Sequence, residues 1–307
     1  MRRLSVVVSL LSFAAVMPLA AATVSKPPAA MAEVAIRSDG SRMNGLVYLA
    51  AGAGAHPVVI FLHGYPGNEK NLDLAQAVRR AGYHAVYFNY RGTWGSGGTF
   101  SFEHALEDVA AVLAWARTPE TVAKYRFDTE HLALVGHSFG GWLAFMTAGS
   151  ESRSVCVAGL AAWNVGAAAQ RFPAHPDERT AGLDDFRATT DPEGGPVRAS
   201  ASDLLDAMVT HATAWDYLGQ ASVIGNRALL LVAATHDSPD EDVPMHRQMA
   251  KALREAGAKQ VTLVTYDDDH PFSAHRIALA GVLTHWLRTD CAKTQRSESG
   301  VPGRRDE

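Results

Sequence analysis

The sequence predicts an α/β domain on a mostly parallel central sheet of about eight strands, with helices on both faces. Two observations predict it. Short β-rich runs alternate along the chain with stretches of helical periodicity, the pattern of strand–helix–strand units with right-handed crossovers. Several of the runs are apolar at nearly every position, as strands covered on both faces must be. The chain's 307 residues, 47% hydrophobic and 20% charged, are enough for one large core. That balance excludes disordered, collagen-like, coiled-coil and multi-span membrane classes.

Met1-Arg2-Arg3, the mostly apolar Leu4–Leu19 and Ala20-Ala21-Ala22 read as a secretory signal peptide over residues 1–22. The competing reading is an uncleaved anchor. Ser5, Ser9, Ser12 and Pro18 make the run marginal for a span of about 20 residues. Cleavage after Ala22 removes two arginines and no acid, taking the formal charge from −4 to −6. The expected location is therefore periplasmic or secreted, with no stable membrane insertion after cleavage. Lys and Arg form no basic stripe, so nucleic acid is not an expected partner. A Cys156–Cys291 bridge is chemically permitted in such a compartment. The expectation is against it, because Cys156 lies in an apolar run that reads as a buried strand.

After a Pro/Ala-rich leader, Glu33–Ser38 and Gly45–Ala50 read as strands joined by the turn Ser38-Asp39-Gly40-Ser41. Pro57–Leu62, Tyr83–Tyr90, His131–Val135, Val155–Leu160, Arg227–Ala233 and Gln260–Tyr266 supply six more. Helical spacing links Leu72, Ala75 and Val78, then Leu106, Val109 and Leu113, and later Ile277, Ala280, Leu283 and Leu287. Arg80-Ala81-Gly82 and Glu255-Ala256-Gly257 each end a helix on a glycine able to turn left-handed. Residues 167–222 break the rhythm: no clear strand, many Asp, Pro and Gly. They leave the sheet just after the Val155–Leu160 strand, at the edge where ligands bind, so they are expected to form a cap. The folded domain is expected over 33–290 and a disordered tail over 293–307.

Gly136-His137-Ser138-Phe139-Gly140 carries the chemistry. It follows Leu132-Ala133-Leu134-Val135 and precedes a helix-like run, and so forms a sharp strand–turn–helix corner. Glycines on either side relieve its clashes, and the corner lifts the Ser138 hydroxyl clear of the sheet. A serine needs a base, and the base an orienting carboxylate. Asp237, nearest the end of its strand, is the expected acid, with Asp240 as the alternative. His270, in the loop after Val261–Tyr266, is the expected base. Its rival His275 is expected within the last helix, pointing away. An oxyanion hole requires two aimed N–H groups, expected from Phe139 and from Tyr65 in His63-Gly64-Tyr65-Pro66-Gly67. His63 is expected to brace that loop. The Asp267–Asp269 run with its histidines lacks a second ligand pair at binding spacing, so no metal is expected. Nor is a nucleotide or flavin, since no dinucleotide-binding glycine pattern is present.

The chain resembles the α/β-hydrolase superfamily, and most closely its dienelactone-hydrolase and prolyl-oligopeptidase-like branches. The resemblance runs over about residues 33–290 and rests on His63–Gly67, Asn89-Tyr90-Arg91-Gly92 with Gly95-Ser96-Gly97-Gly98, Gly136–Gly141, Asp237 and His270-Pro271-Phe272. It implies an α/β-hydrolase fold with Ser138 as nucleophile, His270 as base, Asp237 as orienter, and Tyr65 and Phe139 as oxyanion donors. Two departures keep Asp240 open: Ala234 stands where relatives have glycine, and the turn to Val243-Pro244 is about two residues long.

The leading functional expectation is a serine hydrolase cleaving a small-molecule carboxylic ester through an acyl-enzyme, without a cofactor. A serine peptidase acting on short peptides uses the same groups. A non-catalytic binding protein on the same fold is the third reading; the presence of all three triad groups opposes it. Between Arg171 and Asp206 eight acids face four arginines, which disfavours anionic substrates near the mouth. Trp163, Phe172, Phe186, Trp215 and Tyr217 are candidates for an apolar pocket. Oligomeric state leaves no mark in the sequence.

Overall fold

The computed structural model describes residues 27–153, 155–238 and 242–299. The expected signal peptide lies outside them. Eight strands, β1 (Ala30–Ser38), β2 (Ser41–Leu49), β3 (His56–Leu62), β4 (His84–Phe88), β5 (Phe127–His137), β6 (Cys156–Leu160), β7 (Leu229–Ala234) and β8 (Val261–Tyr266), form one sheet in the order β1-β2-β4-β3-β5-β6-β7-β8. β1 and β2 form an antiparallel hairpin, and β2 pairs antiparallel with β4. Every other pair is parallel. The hairpin turn uses Asp39 and Gly40, both at positive φ (43° and 73°), the backbone that matches the right-handed twist of two paired strands.

Neighbouring residues of the central strands enter different cores, because successive side chains point to opposite faces. Val58, Ile60, Leu134, Val157 and Leu231 pack with α2 (Phe102–Ala116), α4 (Phe139–Ser150) and α9 (Asp242–Glu255). Val59, Phe61, Val135, Ala158 and Leu230 pack on the other side with α1 (Leu72–Arg80) and α10 (Arg276–Trp286). This double burial is the reason the runs read as continuously apolar. The short α3 (Pro119–Tyr125) leads into β5.

Residues 167–222 are helical: the end of α5 (Val165–Arg171), then α6 (Pro176–Thr189), α7 (Ala201–Thr210), a 3-10 turn (Tyr217–Gln220) and the first residues of α8 (Ala221–Ile224). Phe186 is the only fully buried side chain of α6, which explains why the segment shows so little periodicity.

Three expectations change at the carboxyl-terminal end. The phase of α10 is set by Leu279, Leu283 and Trp286, while Ile277 faces solvent at 92% exposure. Cys156 and Cys291 form a disulfide, contrary to expectation. Cys156 is indeed buried on β6, but a π-helical turn (Leu287–Cys291) after α10 carries its partner back to the sheet. The expected tail begins as a helix, α11 (Ala292–Ser299), tied down by Gln295 donating to the Leu132 carbonyl and Thr294 to Gln260. Residues 300–307 lie outside the described part. Among the described residues no helix is long and apolar enough to cross a membrane.

Candidate active site

The loops after β3, β5, β6, β7 and β8 converge at the carboxyl edge of the sheet. Ser138 stands between β5 and α4 with φ 55° and ψ −121°, a backbone that costs a non-glycine residue about 1–3 kcal/mol. Its neighbours hold it there. The Ser138 N–H donates to the Leu160 carbonyl (2.9 Å), and the Ser138 carbonyl accepts from Gly141 and Trp163 (2.9 and 3.1 Å). Only glycine fits around this corner: a Cβ on Gly136 would fall on the Gly140 carbonyl, and one on Gly140 would fall on that of Leu62.

His270 and Asp237 meet 33 residues apart in sequence, with Nδ1 of the imidazole 2.6 Å from Oδ2 of the carboxylate. The carboxylate accepts, so Nδ1 carries the proton and Nε2 is left as the basic nitrogen. Ser138, Asp237 and His270 line one cavity of 420 Å³, bounded on its other sides by Trp163, Arg171 and Met245. The Asp240 alternative lies outside the described residues. Asp242 has a separate task, accepting from the Ala234 N–H (2.6 Å) and pairing with Nδ1 of buried His246 (2.9 Å). The other His246 nitrogen accepts from the Ala162 N–H (3.2 Å), which links the ends of β6 and β7 behind the cavity.

Neighbours that the sequence reading did not assign hold the His270 loop. His137, the variable residue of the serine motif, donates from Nε2 to the His270 carbonyl (2.9 Å), with the two rings 4.5 Å apart. Burial, and then the nearby His270, push the His137 pKa down to about 3, so it remains a neutral donor. Asp268 accepts from the backbone of Asp269, Ala274 and His275 and from the His275 ring (2.9 Å). This engages the rival histidine on its own aspartate. Arg276 donates to the Pro271 carbonyl and pairs with Asp73 on α1. Asp267 binds the Thr235 hydroxyl and His236 at the surface. Among the described residues no group of three or more His, Cys, Asp or Glu could hold a metal ion.

The loop His63–Gly67 lies against the nucleophile: a Cβ on Gly64 would sit 3.0 Å from that of Ser138. The Tyr65 N–H follows immediately. The Phe139 N–H opens α4, where a helix offers no internal acceptor. His63 donates from Nδ1 to the Gly64 carbonyl (2.7 Å), while Tyr90 donates to the carbonyl of His63 (2.9 Å). Burial lowers the His63 pKa to about 4, consistent with a brace that does not exchange protons near neutrality. Trp94 donates to the Pro66 carbonyl (2.8 Å). In the Asn89–Gly92 motif, Arg91 is buried against Asp108, so that motif packs the site without reaching the cavity. Of the five aromatics named as pocket candidates only Trp163 lines the cavity. Phe172, Phe186, Trp215 and Tyr217 are buried in the core.

A model of the alpha/beta hydrolase family matches residues 59–281. Lysophosphatidylserine lipase ABHD12 of Danio rerio is 31% identical over 93 residues, which is 29% of this chain and 22% of that protein. The same lipase of Rattus norvegicus is 32% identical over 100 residues, 32% of this chain and 23% of that protein. The matched segment thus spans less than a quarter of those relatives. Among solved structures, Est1E from Butyrivibrio proteoclasticus with ferulic acid bound aligns with a TM-score of 0.62 at 16% identity, over 84% of this chain and 99% of that one. A Pyrococcus furiosus esterase aligns at 0.61 and 16% identity, over 85% and 91%. At such identities the likeness is one of fold.

Proposed function

The chain belongs to the α/β-hydrolase family, and on that premise we propose that it is a serine hydrolase that cleaves small carboxylic esters. The observation that carries the reading is the 2.6 Å contact between His270 and Asp237 beside the cavity that Ser138 also lines. His270 Nε2 takes the Ser138 proton as Oγ attacks the ester carbonyl, and the imidazolium that forms is stabilised by Asp237. The oxyanion is received by the N–H groups of Tyr65 and Phe139. His270 then returns the proton to the leaving alcohol, and water attacks the acyl-enzyme by the same route in reverse. The lipase and esterase names among the similar proteins favour an ester over an amide.

The reading includes export. The Cys156–Cys291 bridge supports it, since such bonds persist mainly in oxidising compartments.

The test uses the chain from Thr23 with p-nitrophenyl acetate, p-nitrophenyl butyrate and an aminoacyl p-nitroanilide. Ester turnover should fall at least about 10³-fold in Ser138→Ala, and a fluorophosphonate should label Ser138 in the parent. Anilide cleavage at comparable efficiency would instead favour a peptidase. No turnover and no labelling would leave a binding role.

A further inference from the structure

The loop His63–Gly67 has four braces. One is internal, the His63 ring on the Gly64 carbonyl, and two come from the body of the fold: the Tyr90 phenol on the His63 carbonyl and the Trp94 indole on the Pro66 carbonyl. The fourth comes from the insertion. The Tyr65 phenol lies 2.7 Å from the hydroxyl of Thr189, the last residue of α6 and 124 positions further along the chain. Thr189 Oγ1 already donates within its helix to the Asp185 carbonyl (2.9 Å), so it accepts from the phenol. Burial pushes the Tyr65 pKa up to about 12, which keeps that donor protonated. The Tyr65 ring is clasped by Phe100 (5.6 Å) and, edge-on, by Phe186 (5.4 Å). Phe186 and Thr189 lie one turn apart on α6 and so present the same face to the loop.

This face is where α6 is anchored. Phe186 is its only fully buried side chain; Leu183 packs half-buried against the core, and ion pairs such as Arg171–Glu178 and Arg179–Asp206 tie its other side. The helix therefore rests in part on the side chain of Tyr65, the residue next to Gly64, which lies against Ser138. A hydrogen bond to an oxyanion weakens steeply with misalignment, so a small rotation of the Tyr65 peptide is felt in the transition state and hardly in the bound substrate.

We propose that Thr189 is a positioning residue for the oxyanion hole: through the Tyr65 phenol, the inserted helix α6 fixes the aim of the Tyr65 N–H. The insertion then sets the rate of acyl transfer. The inference rests on the serine-hydrolase reading of Ser138 and Tyr65 given above.

Thr189→Val keeps the shape and removes the acceptor, and Tyr65→Phe removes the donor from the other side. Each should lower kcat for p-nitrophenyl acetate about tenfold with KM within about twofold. The double variant should be no worse than either single by more than about twofold, and Thr189→Ser should restore most of the rate. Butaneboronic acid becomes tetrahedral and anionic when Ser138 Oγ adds to boron, so its inhibition constant should rise about tenfold in parallel. A merely structural loss would lower the thermal midpoint without this split. A raised KM at constant kcat would overturn the proposal, as would additive losses or an unchanged boronate constant. Ser138-dependent turnover with an unaffected Thr189→Val overturns this inference alone. Absence of Ser138-dependent turnover in the parent overturns the serine-hydrolase reading with it.

Discussion

At the scale of single residues, the choice between two acids is a matter for substitution. Asp237 contacts Nδ1 of His270, and removing its charge while keeping its shape tests what that contact does. Asp237→Asn should lower kcat for p-nitrophenyl acetate by about 10³–10⁴-fold, because the amide favours the wrong imidazole tautomer and no longer stabilises the imidazolium. Asp240→Asn makes the same change in net charge and should retain most of the activity. Equal losses in the two variants would mean that the effect is one of general charge. Ser138, His270 and Asp237 were legible because each follows a strand end, and chain order narrows the choice. The Tyr65–Thr189 bond was not, since it joins positions 124 apart through a segment whose path no local pattern reveals. His137 was visible inside the serine motif, but nothing in the sequence shows that its ring reaches the carbonyl of His270.

At the scale of elements, legibility followed burial on two faces. Leu229–Ala234 is buried at all six positions, and such a run announces itself. β8 also forms where a strand was expected, although none of its residues is fully buried, because its partner β7 lies on one side alone. The insertion and the end of the chain were harder. α6 offers one buried residue in 14, and α11 is held by polar contacts such as Gln295 to Leu132. The disulfide belongs here too, because it staples the π-helical turn before α11 to β6 across 135 residues. Constraining so long a loop in the unfolded chain should contribute about 2–4 kcal/mol. Cys156→Ala/Cys291→Ala, or reduction of the parent, should therefore lower the thermal midpoint by about 5–10 °C. A midpoint indifferent to reductant would show that the bond does not constrain the unfolded chain.

At the scale of the whole molecule, strand–helix alternation made the parallel sheet legible, but not the protonation of what the sheet buries. Three of the buried histidines, His63, His84 and His137, are held neutral. Burial holds His63 at about 4 and His84 at about 4, the latter with help from His56 and Arg126, while His137 is at about 3. His84 shows the mechanism: its Nδ1 accepts from the Ala50 N–H (3.0 Å), and a proton there would set donor against donor. In the unfolded chain all three would bind protons below about 6.5. The unfolded state thus takes up more protons than the native state as the pH falls. The stabilisation is complete above about 6.5 and is lost progressively from there down toward the folded values of 3–4. Between pH 7 and 5, His63 and His137 should each remove about 2 kcal/mol, with His84 acting in the same direction. The urea midpoint, followed by circular dichroism at pH 7, 6 and 5, should accordingly fall at each step. A midpoint that stays level across that interval would mean that these rings are hydrated or charged in the folded protein. The bracing of the His63 and His270 loops by neutral imidazoles would then have to be abandoned.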